Sequence, residues 1–134
     1  MMAMIEIHTH EGEGYQRLVE YGGWTAAMLK DSDNTSPEGV SYLQKHTLTD
    51  EVFILLQGKC TLIEAGNGEQ PGEIHGVGME PLKYYNVKKG VWHTHILDPG
   101  TCVVVVENIE TGLENSPIVD FTPEQKAKAV SLHK

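Results

Sequence analysis

Short apolar runs, broken by glycine, proline and polar turns, recur along this chain at the spacing of strands rather than helices. Trp24 to Leu29 reads as a strand, and the polar stretch from Asp31 to Gly39 as the loop after it. Val40 to His46 alternates, which places Val40, Tyr42, Gln44 and His46 on one face. Thr47 to Asp50 is a turn. Glu51 to Gln57 is strongly apolar and closes on Gly58, the pattern of a strand buried on both faces. Lys59 to Ala65 is expected as its hairpin partner, ending at Gly66, Asn67 and Gly68, residues that tolerate positive φ. Ile74 to Met79, Leu82 to Val87 and Val91 to Leu97 are further strands, and Cys102 to Glu107, with four consecutive valines, is another buried one. Tyr15 to Tyr21 fits strand or helix, and periodicity does not decide between them. The end changes character. Thr122 is a helix N-cap, Pro123 suits the first helical position, and Gln125 can complete a capping box, so a short helix is expected over about 123–133.

Composition narrows the class. A chain of 134 residues suits one domain with one core, and 40% hydrophobic residues is ordinary for a soluble globular protein. Nineteen acidic against ten basic residues give a net charge of −9, which repels phosphates and anionic membranes. Neither nucleic acid nor a membrane is therefore expected as a partner. No apolar run approaches the roughly 20 residues needed to cross a bilayer. The start, Met1 to His8, lacks the basic region and apolar stretch of a signal peptide. Cys60 and Cys102 lie in strand-like runs and read as buried, reduced thiols, so a cytoplasmic location is expected.

The candidate chemistry lies in three residues far apart in sequence. His46, Glu51 and His93 are the ligand types that suit a divalent zinc, iron, nickel or manganese ion. Only a closed or sandwiched sheet would bring them together. Gln44 and His46 share one face, and His93 and His95 share another. A turn at Thr47 to Asp50 would set Glu51 on the next strand, antiparallel to the first. A barrel interior could then collect Gln44, His46, Glu51, His93 and His95. The bland alternative is a histidine at a strand end and a glutamate facing solvent. His8 and His10 form a second pair near the start, more ordinarily an exposed one. His75, Tyr42, Tyr84, Tyr85 and the Lys88–Lys89 pair are weaker candidates for lining the pocket. Trp92 points away from His93, into a sheet–sheet or subunit contact.

With these residues in place, the chain resembles the cupin superfamily. His46, Glu51 and Gly58 look like its first motif, and Gly90 and His93 like its second. The resemblance covers about residues 39–107. It implies an all-β fold, a double-stranded β-helix (jelly-roll) barrel within a single domain of residues 1–134, here with a short C-terminal α-helix. It also implies that His46, Glu51 and His93 hold a divalent metal, and that the protein is a homodimer. The chain departs from the pattern at Gln44, where a first histidine belongs, at Lys88, where proline is usual, and at Leu97, where asparagine is usual. Tyr85 to His93 is also similar to the stretch before the histidines of ureidoglycolate lyase-like cupins, although Thr94 separates His93 from His95.

The leading expectation is a metal-dependent enzyme, a lyase, isomerase or oxygenase, acting on a small polar or anionic metabolite. Gln44 would orient or weakly ligate, and His95 would be a further ligand or a general acid/base. Two alternatives remain open. One is a metal-free module binding a sugar or organic acid. The other is a ureidoglycolate lyase-like carbon–nitrogen lyase.

Overall fold

The computed structural model describes residues 4–134. Met1 to Ala3, part of the stretch expected to lack signal-peptide character, lie outside the described residues. Among the described residues the strands are β1 (Gly14–Tyr21), β2 (Trp24–Lys30), β3 (Tyr42–Gln44), β4 (Glu51–Gln57), β5 (Cys60–Glu64), β6 (His75–Gly78), β7 (Tyr85–Val87), β8 (His93–Leu97), β9 (Cys102–Asn108) and β10 (Ile118–Asp120). One α-helix, α1 (Pro123–Leu132), follows. The strands form two antiparallel five-stranded sheets, ordered β1-β2-β9-β4-β7 and β10-β3-β8-β5-β6. No helix among the described residues is long and apolar enough to cross a membrane.

The two sheets face each other over a core of Leu29, Phe53, Leu55, Leu62, Leu97, Val103 and Val105. Sheet twist keeps the inner faces in contact while alternate side chains point outward. A second core lies on the far side of the second sheet. Leu43, Ile63, Trp92 and Ile96 turn outward there and meet Ala129 of α1. Helix α1 starts as its sequence demands: Gln125 N donates to Thr122 Oγ1 at 3.1 Å, and Thr122 N donates to Gln125 Oε1 at 2.8 Å. Its far end is fastened by His133, whose ring lies 2.7 Å from Thr61 Oγ1 on β5 and 2.6 Å from Asp98 Oδ1.

Several expectations need correction. Lys59 to Ala65 is not the hairpin partner of β4. β4 pairs with β7 and β9, whereas β5 pairs with β6 and β8 in the other sheet. The chain changes sheets at Gly58, whose φ of +88° lies in the left-handed region. Likewise β3 and β4 are not antiparallel neighbours, so Glu51 faces His46 across the barrel rather than along one sheet.

The strands expected to be buried on both faces are buried on one. Glu51, Phe53 and Leu55 are buried, Val52 and Ile54 half-buried, and Leu56 exposed, because α1 covers the second sheet and not the first. Val103 and Val105 point inward, while Val104 and Val106 are half-buried. Tyr15 to Tyr21 is a strand, and Ile118–Asp120 is a strand that the pattern did not suggest. Trp92 does not lie between the two sheets. It seals the outer core, donates from Nε1 to Gly68 O at 2.9 Å, and carries the Lys45 ammonium over its ring. Cys60 is buried and unpaired, and burial pushes its thiol up to about 12; Cys102 is half-buried.

Candidate metal centre

Both sheets contribute to one end of the barrel. β8 presents His93 and His95 inward, with Leu97 further along the same face. Gln44 on β3 pairs in register with His93. His46 lies just beyond β3, where Gly90 N donates to its carbonyl oxygen at 2.9 Å. From the first sheet, β4 begins at Glu51 and β9 reaches Glu107 on the same inward face as Val103 and Val105. Alternation along each strand decides which side chains face in. The topology decides which strands face each other.

His46, Glu51 and His93 are all buried, and their donor atoms lie within 4.8 Å of one another. Glu51 Oε1 is 3.0 Å from His46 Nε2 and 2.9 Å from His93 Nε2. The far sides of the two rings are held as well. His93 Nδ1 lies 2.9 Å from Val91 O, and His46 Nδ1 lies 2.8 Å from Ser116 Oγ. A carbonyl oxygen only accepts, so the proton of a neutral His93 ring sits on Nδ1. Its Nε2 lone pair then points at a carboxylate oxygen. Two lone pairs at this distance repel unless a cation lies between them or the ring carries a second proton. A backbone carbonyl that fixes the tautomer of a ligating imidazole is what a divalent ion requires. The donor set and its orientation fit such an ion.

Charge follows the same geometry. Burial alone would push the Glu51 carboxyl up, but its contacts with His46 and His93 outweigh this and hold it well below the usual carboxylate range. Burial opposes charge on His46, yet the adjoining Glu51 and nearby Glu107 win and raise it above its ordinary value.

Glu107 is the residue that sequence reasoning missed. It is buried beside this cluster, with Oε1 3.9 Å from His46 Nε2. Its Oε2 accepts from Tyr15 Oη at 2.5 Å. Burial and the neighbouring Glu51 charge raise its carboxyl above the usual range, against the pull of the Tyr15 hydroxyl. The usable signal was a lone acid continuing the inward period of the valine run. Ser116, which positions His46, carried no comparable signal.

The remaining candidates divide clearly. Gln44 and His95 line the same cavity, of about 520 Å3, as the three proposed ligands. Tyr42 lines it too, but His75, Tyr84, Tyr85, Lys88 and Lys89 do not. His75 is exposed beside Glu64 and Glu73. His8 and His10 do not form a ligand pair: His8 is exposed beside Glu6, while His10 is buried and bonded to Gly14 O. Lys89 instead donates its backbone N–H to Asp50.

His95 Nδ1 is sealed from solvent and has no partner among the described residues. Burial pushes its imidazole down to about 4. The expected outcome in an NMR titration is that the His95 ring stays neutral from about pH 8 to about pH 5, where an ordinary imidazole of pKa about 6.5 would have titrated. The unfolded chain takes up this proton first, so the His95 contribution favours the fold above about pH 6.5 and is lost as pH falls towards the folded value. A midpoint near 6.5 would contradict the geometry.

No protein-family model and no curated protein matches the chain. Solved structures do. A variant of Streptomyces PAC13 with uridine aligns with a TM-score of 0.60 at 8% identity, covering 94% of this chain and 98% of that one. Hydroquinone 1,2-dioxygenase PnpCD, in complex with Cd2+ and 4-hydroxybenzonitrile, aligns at 0.53 and 12% identity, covering 75% and 67%. An RmlC-like cupin from Shewanella frigidimarina aligns at 0.50 and 15% identity, covering 76% and 82%. Two opposed antiparallel sheets, a site at one end between them and these alignments lead to one conclusion: the chain folds as a small cupin, a jelly-roll β-barrel with a short C-terminal helix.

Proposed function

We propose that this protein is a metal-dependent cupin enzyme acting on a small, neutral, hydroxyl-rich molecule. The observation that carries the reading is the Glu51 oxygen set between two imidazole nitrogens, one of which has its proton fixed on the opposite side by Val91 O. His46, Glu51 and His93 would hold a divalent ion, which when bound supplies Lewis acidity and an open position for a substrate oxygen. The chain's own residues supply the rest. Gln44 offers an amide to orient a hydroxyl. His95, neutral at working pH, is a base able to accept a proton from a group held in the cavity.

Charge in the cavity argues for a neutral substrate over an anion. Two carboxylates, Glu51 and Glu107, line it. Arg17 is the Lys or Arg in its lining, and its guanidinium donates to Ile109 O at 2.9 Å and Thr111 O at 2.8 Å. Two of its five donors are thus directed at backbone, and its charge is already shared with Tyr15 and Glu107, which leaves less of it for a carboxylate ligand such as ureidoglycolate. Ser32, Thr35, Ser41 and Tyr42, all hydroxyl-bearing, line the cavity instead. The uridine in one structural neighbour and the Cd2+ in another support the same combination of neutral polar ligand and divalent ion.

The test is a titration of Mn2+, Fe2+, Ni2+ and Zn2+ into chelator-treated protein, followed by a ligand screen on the loaded form. One ion per chain, with nucleosides and sugars perturbing the site more than organic acids, is the expected result. A protein that takes up none of these ions is not a metalloenzyme, and its cavity is then a site for organic ligands alone.

A further inference from the structure

Glu107 has a feature that the three-residue centre does not explain. Its side chain is about 5% exposed, yet Oε1 has no hydrogen-bond partner among the described residues. Leaving a buried carboxylate oxygen unpaired is costly. The other oxygen is clamped by Tyr15 Oη, which fixes the carboxylate plane and leaves Oε1 directed to the cluster. Glu51, a second buried carboxylate, lies beside it. Two buried carboxylates side by side repel unless a proton or a cation is shared between them.

Distance places Glu107 beside the His46 edge of the centre. Two donors bound to one ion at about 2.1 Å lie about 3 to 4.2 Å apart, from cis to trans. Glu107 Oε1 and His46 Nε2 are 3.9 Å apart, within that range, but Glu107 lies outside the set whose donors are all within 4.8 Å of one another, so its carboxylate would have to move further into the centre to share an ion. Glu51 Oε1 to the two imidazoles, at 3.0 and 2.9 Å, falls at the cis end.

We propose that Glu107, held by Tyr15, is a fourth protein ligand of the metal centre, making it a two-imidazole, two-carboxylate set. The proposal rests on the metal reading above. Two carboxylates neutralise a dication, so the loaded site carries no net charge. Such an oxygen-rich set suits Fe2+ or Mn2+ better than a site built from imidazole alone.

Co2+ alone is the probe, titrated into the parent, Glu107→Gln and Glu107→Asp proteins after circular dichroism has shown equal folding. Its visible absorption reports the donor set, and the titration reports affinity. Glu107→Gln is expected to weaken Co2+ binding by at least about 10-fold and to shift the visible bands. Glu107→Asp, which keeps the charge on a shorter arm, is expected to shift the bands with a smaller loss. Binding by the parent with unchanged affinity and bands in Glu107→Gln overturns this proposal and leaves the three-ligand centre standing. If Glu107→Gln does not fold, unchanged bands in Glu107→Asp overturn it. A parent that binds no Co2+ overturns both.

Discussion

The His46→Ala/His93→Ala double variant will retain no divalent ion where the parent, purified without chelator, holds about one per chain by elemental analysis. Each histidine is anchored by more than the proposed ion, His46 by Ser116 and His93 by Val91. Losing such an anchor alone typically costs about 10–100-fold in metal affinity. Removing the imidazoles themselves leaves carboxylates only, and the loss should exceed about 1000-fold, beyond the reach of purification. The same centre sets a pH dependence. Protons and metal compete for Nε2 of each ring, so affinity falls as pH drops. For His46, raised by Glu51 and Glu107, that competition begins above the ordinary imidazole value of about 6.5. A parent that keeps its ion undiminished at about pH 5, or a double variant that still holds one, would place the metal elsewhere.

Gly58→Ala should be strongly destabilising. The residue sits at φ +88°, where a side chain is strained. Space is also missing: a Cβ would lie 2.3 Å from Thr101 Oγ1 and 2.5 Å from Thr101 Cα. The threonine cannot simply rotate away, because its backbone is part of the clash. Its hydroxyl also accepts from Lys59 N at 2.9 Å and lies 3.1 Å from Lys59 O. Strain and displacement together should cost roughly 3 kcal/mol or more, which for a domain of this size lowers Tm by on the order of 10 °C. Thermal unfolding of the purified variant reads this directly. A drop of under about 3 °C would mean that the crossover between sheets relaxes freely.

These two sites show what the amino-acid order discloses. The bounds of β4, the shared face of His93 and His95 and the cap of α1 follow from local rules: alternation, turn residues and an N-cap threonine. Which sheet a strand joins is not a local property. Gly58 looked like a hairpin turn because positive φ serves a hairpin and a sheet-to-sheet crossing alike. Only the long-range pairing of β4 with β9 and of β5 with β8 separates the two. Glu107 was hidden for a related reason. Four consecutive valines suggest a strand buried on both faces and mask the period of two that carries the acid inward beside Glu51. Tyr15, 92 positions from its partner Glu107, could not be linked to it without the fold.

The two sheets are joined in the interior mainly by apolar contact, which resists sliding weakly because it has no preferred direction. The cluster differs. Glu51 and Glu107 belong to one sheet, while His93 belongs to the other and His46 is tied to it. An ion held among them would work as a rivet between the layers. At 100 times its dissociation constant, such a ligand adds about 2.7 kcal/mol to the folded state. The same residues line the cavity proposed above for the substrate. Loading the metal would thus set how far the sheets can breathe around that cavity as well as what chemistry happens inside it.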